Sequence, residues 1–308
     1  MESWQQLPNK AFFFFLLAAW LALFQFLGNS VLGYIRTPSL LMWMYHTYNP
    51  NSGTTEDDAH GLIVPFVVLG IFWWKRKQLL ALPLKTWPPA LLLVALGLFL
   101  HVAGFAIQQS RVSIVGLFTG IYGLMGMAWG PAFLRASFFP FFLFVFSIPF
   151  GSLAQPVTFP LRLIVCRLVE FVCHYILAID IIRDGTALRD PTGHYQYEVA
   201  AACSGIRSLV AIFIMATVYA FVAFRGFGKR LLLMASAFPL AVLGNLVRML
   251  SIVLAAEYGG QHLGNQVHES GFFSLLPYIP AIGGLLFLGH LLEGRKPLQS
   301  EVQPLPAE

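Results

Sequence analysis

The sequence predicts an all-α polytopic membrane protein: about eight transmembrane helices, an outer interfacial helix and a small extracytoplasmic hairpin. Three observations predict this class. Of 308 residues, 57% are hydrophobic and only 11% charged, whereas a soluble domain carries about a quarter charged residues. Such a chain cannot cover a water-facing surface, so lipid must be the solvent for most of it. Apolar windows near the ~20 residues needed to cross a bilayer recur along it. Basic residues gather at the ends of these windows, which orients a membrane protein. The net charge of +5 is therefore a topology signal, and no nucleic-acid partner is expected.

The first span covers residues 11–28 (AFFFFLLAAWLALFQFLG). Lys10 precedes it without a small-residue cleavage site, so the run reads as a retained span and not a removed signal peptide. Residues 29–60 read as a polar, irregular loop ending in NPNSGTTEDDAH. Residues 61–74 form a second span, stopped by Lys75, Arg76 and Lys77. That triplet should stay in the cytoplasm, which places the N-terminus inside and the first loop outside. Residues 88–106 run out, 112–130 return with Arg135 at the inner end, and the Pro-broken 136–150 run out again.

A second basic anchor, Arg225, Lys229 and Arg230, orients the back half. Residues 204–223 run inward to it, 231–256 run out, and 271–292 run in. The remainder, 293–308, is a cytoplasmic tail, and the whole chain reads as one membrane-embedded domain with a helical core over 11–292. Between the anchors, residues 151–203 must begin and end outside. Residues 158–179 carry Arg162, Arg167, Glu170 and His174, which fall within an arc of roughly 140° on a helix. This is an amphipathic helix for the outer interface. Residues 180–203 combine turn signals (Asp184-Gly185, Asp190-Pro191-Thr192-Gly193) with the β-prone Tyr195–Val199 run. They read as a hairpin leading to Cys203.

Three polar features then share the outer side. Cys203 stands at the outer start of 204–223. Ser204 is a good N-cap, and the helix N-terminus favours a thiolate. Gly205 leaves room for an approaching backbone, and Arg207 adds positive potential one turn in. Arg248 lies roughly two-thirds of the way out along a run of about 39 Å, and an arginine at membrane depth is a functional-site candidate. Asn245, three residues earlier, shares its face. His268 falls in the outer loop before the last span, where both it and His262 should be exposed. A buried apolar cysteine and an arginine snorkelling to the headgroups are the competing readings. The His262–His268 spacing does not match a metal pair, and neither H-E-x-x-H nor G-x-S-x-G occurs, so no metal or other cofactor is expected. Together the three residues suit nucleophilic catalysis: a thiolate attacks a carbonyl, a cation holds the oxyanion, and an imidazole moves the proton.

These motifs resemble those of the exosortase/archaeosortase family of polytopic membrane proteins. The matching stretches are Ala202-Cys203-Ser204-Gly205-Ile206, Asn245-Leu246-Val247-Arg248, and His268 with Gly271 shortly after. His60-Gly61-Leu62-Ile63-Val64-Pro65 is similar to an early family motif. The resemblance, over about residues 40–292, implies a cysteine transpeptidase with Cys203 as nucleophile, Arg248 as oxyanion or substrate-positioning group and His268 as acid/base. It implies exported protein substrates ending in a signature motif, a transmembrane helix and a basic cluster. It also implies an unknown acceptor nucleophile and a site on the extracytoplasmic side of the cytoplasmic membrane. No additional C-terminal domain is expected. The alternative is a transporter or polysaccharide-export component, against which stand the lack of an inverted repeat and the scarcity of acidic residues in the spans.

Overall fold

A computed structural model describes residues 7–31, 35–49, 58–150, 155–198, 206–270, 273, 275 and 278–293. It divides into two compact units, Met1–Pro156 and Val157–Glu308. By length and composition, Lys10–Leu27, Pro88–Ala106, Ser110–Ser147 and Phe227–Glu269 are long and apolar enough to cross a membrane; Leu209–Ala223 and Tyr278–Glu293 are shorter apolar helices.

The first unit contains α1 (Lys10–Leu27), α2 (Leu40–Tyr48), α3 (Val64–Leu80), α4 (Leu91–Ala106) and α5 (Ser110–Phe142). Helix α2 lies in the stretch read as an irregular loop. The hydroxyl of Ser39 accepts from the Met42 amide at 3.0 Å and caps it. Its apolar side, with Leu40, Met44 and Tyr48, is buried in the unit's core. The basic triplet does not stop α3 at Trp74. Lysine and arginine are good helix formers, and the Arg76 guanidinium lies 4.3 Å from the Trp73 ring centre, so the helix runs on to Leu80. Phe15, Phe66 and Leu92 are each more than 70% exposed, which suits side chains facing lipid and not water.

Helices α4 and α5 pack antiparallel at backbone contact. A Cβ on Gly97 would meet the Gly116 carbonyl at 2.7 Å, and one on Gly116 would meet the Gly97 carbonyl at 2.6 Å. Such small-residue seams replace the hydrophobic drive that lipid removes. Trp20 of α1 locks onto the same seam, its indole N–H donating to the Leu117 carbonyl at 3.0 Å.

Although its helical residues are consecutive, α5 is not one rod. Phe118 and Phe144 stack with ring centres 4.3 Å apart, and the Tyr122 hydroxyl donates to the Leu134 carbonyl at 2.6 Å. Twenty-six residues of straight helix would separate the first pair by about 39 Å. The chain instead reverses at Gly130 (φ 90, ψ 177), a conformation essentially confined to glycine, and Pro131 starts the returning arm. The regions read as spans over 112–130 and 136–150 are thus arms of one helical hairpin with no loop of its own.

The second unit contains α6 (Gln155–Val172), extended by a wider turn at Cys173–Leu177, three short strands, α7 (Ile206–Ala223), α8 (Phe227–Ala235), α9 (Ala237–Glu269) and α10 (Tyr278–Glu293). Helix α6 is two-sided, but its sides do not follow the polar arc read from Arg162, Arg167, Glu170 and His174, because large apolar residues share the exposed side. Val165, Cys166, Val169 and Cys173 are buried, while Phe171, Tyr175 and Ile176 are exposed. The predicted hairpin gains a third strand. β1 (Ile182–Asp184), β2 (Ala187–Arg189) and β3 (Gln196–Glu198) form an antiparallel meander, with Leu188 opposite Tyr197. Leu188, Tyr195 and Tyr197 join α6 and the Met249–Ala256 stretch of α9 in one core. A separate core gathers α7, α8, the start of α9 and α10 around Ile212, Leu233, Ala241 and Leu285.

Gly130→Ala tests the first hairpin. Its Cβ would meet the Lys85 carbonyl at 2.6 Å in a left-handed backbone, so it should lower stability by about 1–3 kcal/mol or more. Thermal unfolding in detergent measures this, and an unchanged midpoint would contradict the turn.

Candidate active site

Residues 199–205, including Cys203, Ser204 and Gly205, lie outside the described residues. The frame on either side is described. Downstream, α7 begins at Ile206, so Arg207 lies in its first turn. Upstream, β3 ends at Glu198.

Helix α7 runs antiparallel to α8 and α9 in a consistent register. The Arg230 guanidinium stands 4.3 Å from the Phe221 ring centre, and Phe213 packs edge-on against Phe238 at 6.1 Å. Each step back along α7 is matched by a step forward along α8 and α9. This register carries Ile206 to the level of Asn245, with Arg248 one turn beyond. Arg248 and Asn245 are half-buried. Arg248 sits where α9 passes from the core around Ala241 to the core beginning at Met249. Its first arm, 237–259, runs past the predicted end at 256. Arg248 is therefore near the middle of that arm and not two-thirds along a span.

His268 is not on a solvated loop. Residues 261–269 are helical, and the chain reverses at Gly260 (φ 71, ψ 176). Gly264 comes back against Ala256, where an added Cβ would lie 2.9 Å from the alanine methyl. Val267 packs on the core containing Met249 and Ile252. His268 returns close enough to Arg248 for their charges to interact, although twenty residues of straight helix would part them by about 30 Å. His268 is half-buried while His262 stays exposed, so the two histidines, expected to be alike, differ. No polar loop was needed: the Gly259-Gly260 pair inside a helical pattern was the overlooked signal.

Two tyrosines, one just before β3 and one in it, fasten this reversal. The Tyr195 hydroxyl donates to the Glu257 carboxylate at 2.9 Å, just before the turn. The Tyr197 hydroxyl donates to the Gln261 carbonyl at 3.2 Å, just after it. The Tyr197 ring faces the His268 ring with centres 6.3 Å apart and planes 29° off parallel. Neither tyrosine was singled out from sequence beyond its β propensity.

The other two cysteines are structural. Cys166 and Cys173 are both fully buried, and the Cys166 thiol contacts the Thr186 carbonyl at 3.6 Å. Burial pushes each thiol up to about 11. Among the described residues no three of His, Cys, Asp and Glu gather as a metal site.

Fold and site together define a polytopic helical membrane protein with a polar cluster, Asn245, Arg248 and His268, set into its second unit. A family model described as transmembrane exosortase matches residues 50–287. The chain belongs to that transmembrane exosortase family. No curated relative and no solved structure matches it.

The thiols give a direct check. A group titrating at about 11 holds roughly one part in ten thousand as thiolate around pH 7. Iodoacetamide should leave Cys166 and Cys173 unmodified there, with labelling rising only as pH approaches that value. Rapid neutral labelling of either in the folded chain would contradict their burial.

Proposed function

We propose that the chain is a cysteine transpeptidase that cleaves the C-terminal sorting signals of exported proteins at the outer face of the cytoplasmic membrane, through a thioester on Cys203. The observation that carries this is the common level of three elements: the start of α7, the Asn245–Arg248 turn of α9, and the returning arm that bears His268. Cys203 lies three residues before Ile206, within about 10 Å of it even in a fully extended chain. The burial of Cys166 and Cys173 leaves Cys203 as the cysteine suited to nucleophilic work. Membership of the exosortase family points to the same chemistry.

In this reading the Cys203 sulfur attacks the scissile carbonyl carbon. Its proton passes to His268, and the carbonyl oxygen becomes an oxyanion facing the Arg248 guanidinium. Collapse of the tetrahedral species breaks the C–N bond, and His268 delivers its proton to the departing amine. An acceptor nucleophile or water then takes the acyl group from sulfur. Asn245, one turn before Arg248 on the same face, orients the guanidinium. Ser204 caps α7, Gly205 gives clearance to the substrate backbone, and Arg207 adds positive potential. Eight spans with both termini inside would place this cluster on the outer side.

Cys203→Ala should abolish processing of a co-expressed substrate bearing a motif, a transmembrane helix and a basic tail, with insertion and yield unchanged. Retained processing would sink the nucleophile role. Arg248→Lys keeps the charge but not the planar fork, and should slow processing about tenfold or more; a wild-type rate would mean the arginine merely snorkels. Gly260→Ala meets open space, so its cost is backbone strain alone. It should slow processing about tenfold by loosening the His268 arm, as pulse-chase of the substrate would show.

A further inference from the structure

We infer that Tyr197 is the positioning residue of this site, holding the returning arm of α9 in the one register that sets His268 beside Arg248. The inference rests on the proposed role of His268 and adds a residue that the family motifs did not bring out.

Four observations converge on this side chain. Tyr197 is only 7% exposed, so its ring is built into the core and not laid over it. Its hydroxyl donates to the carbonyl of Gln261, the first residue after the turn. That tip fills the space left by Gly264, where an added Cβ would sit almost on the hydroxyl. Its ring face lies against the His268 imidazole. The tip thus fixes the arm lengthwise while the ring limits how the imidazole turns. Gly264 and Val267 are the other points at which the arm meets the outgoing helix and its core. It is only nine residues long (261–269), below the length at which a helix is stable alone. His262, Leu263, Asn265 and Gln266 on it are exposed.

The partner tyrosine does a different job. Tyr195, the residue before β3, bonds to Glu257 on the outgoing arm, so the two tyrosines grip the two sides of Gly260, one to each. Leu188 opposite Tyr197 is fully buried and anchors the strand. Because β3 ends at Glu198 and Cys203 follows five residues later, the strand that sets His268 also leads into the nucleophile. Among the described residues, Arg248 and Glu269 are charged groups that act on His268; Tyr197 adds no charge and acts through placement alone.

The test is the pH dependence of Cys203 alkylation by iodoacetamide in the purified full-length chain, read at the Cys203 peptide by mass spectrometry. If His268 assists ionisation of Cys203, His268→Ala should slow alkylation around pH 7 about tenfold and move the profile towards that of a free thiol, ~8.5. Tyr197→Ala should produce the same slowing and the same shift, and the double variant should be no slower than either single one, as expected for residues acting through one another. Tyr197→Phe keeps the ring against His268 and should fall between wild type and Tyr197→Ala. Should the alanine variant fail to yield folded protein, Tyr197→Leu keeps the buried volume and takes its place. A His268→Ala shift that Tyr197→Ala and Tyr197→Leu both fail to reproduce overturns the positioning role alone. An unchanged profile in His268→Ala overturns the acid/base reading and this inference with it.

Discussion

Everything in the second unit depends on one constraint: a backbone reversal made without a loop. A chain that must return directly along its own helix has few backbone conformations with which to do it. Gly260 provides one, since φ 71 with ψ 176 turns the chain within a single residue that has no Cβ to clash. The returning arm then runs beside its own outgoing arm. A histidine twenty residues downstream of an arginine is thereby brought back to it. The site is a consequence of where the helix breaks, more than of any side chain reaching across the molecule.

Much of the fold was legible in the sequence, because apolar run length and basic flanks depend on the chain alone. The spans read over 11–28 and 88–106 correspond closely to Lys10–Leu27 and Pro88–Ala106. What was not legible depended on contacts. Helix α2 lies in a stretch read as irregular, since its burial against the unit's core decides its state. The helicity of 261–269 was hidden for the same reason: its exposed polar residues look like a loop until Gly264 and Val267 find the outgoing arm. Of the proposed site, Arg248 was visible as an arginine at membrane depth and His268 as a loop histidine in a family-like motif, but their proximity was not. That required the turn at Gly260, which a double glycine hints at without saying which way the chain goes.

The three cysteines show how position sorts one residue type. Cys166 and Cys173 face inward from α6, their thiols raised by burial and enclosed by valines and the sheet. They are packing units that happen to contain sulfur. Cys203 comes instead after the strand that carries Tyr197 and before the helix that begins level with Asn245. A chain that spends two cysteines on its core and one at the junction of strand and helix separates inert sulfur from the sulfur proposed to react.

The reversal at Gly130 has its own consequence for how the first unit is built. Between the arms of α5 there is no hydrophilic stretch: Gly130 is followed at once by Pro131, and the carbonyl of Pro131 already accepts from the Arg135 side chain at 3.4 Å. Neither arm presents a segment that could wait in water while the other settles. The arms therefore pack directly on each other, with Phe118, Tyr122, Phe141 and Phe144 in contact across the pair. At this point in the chain the packing element is a pair of helices and not a single span.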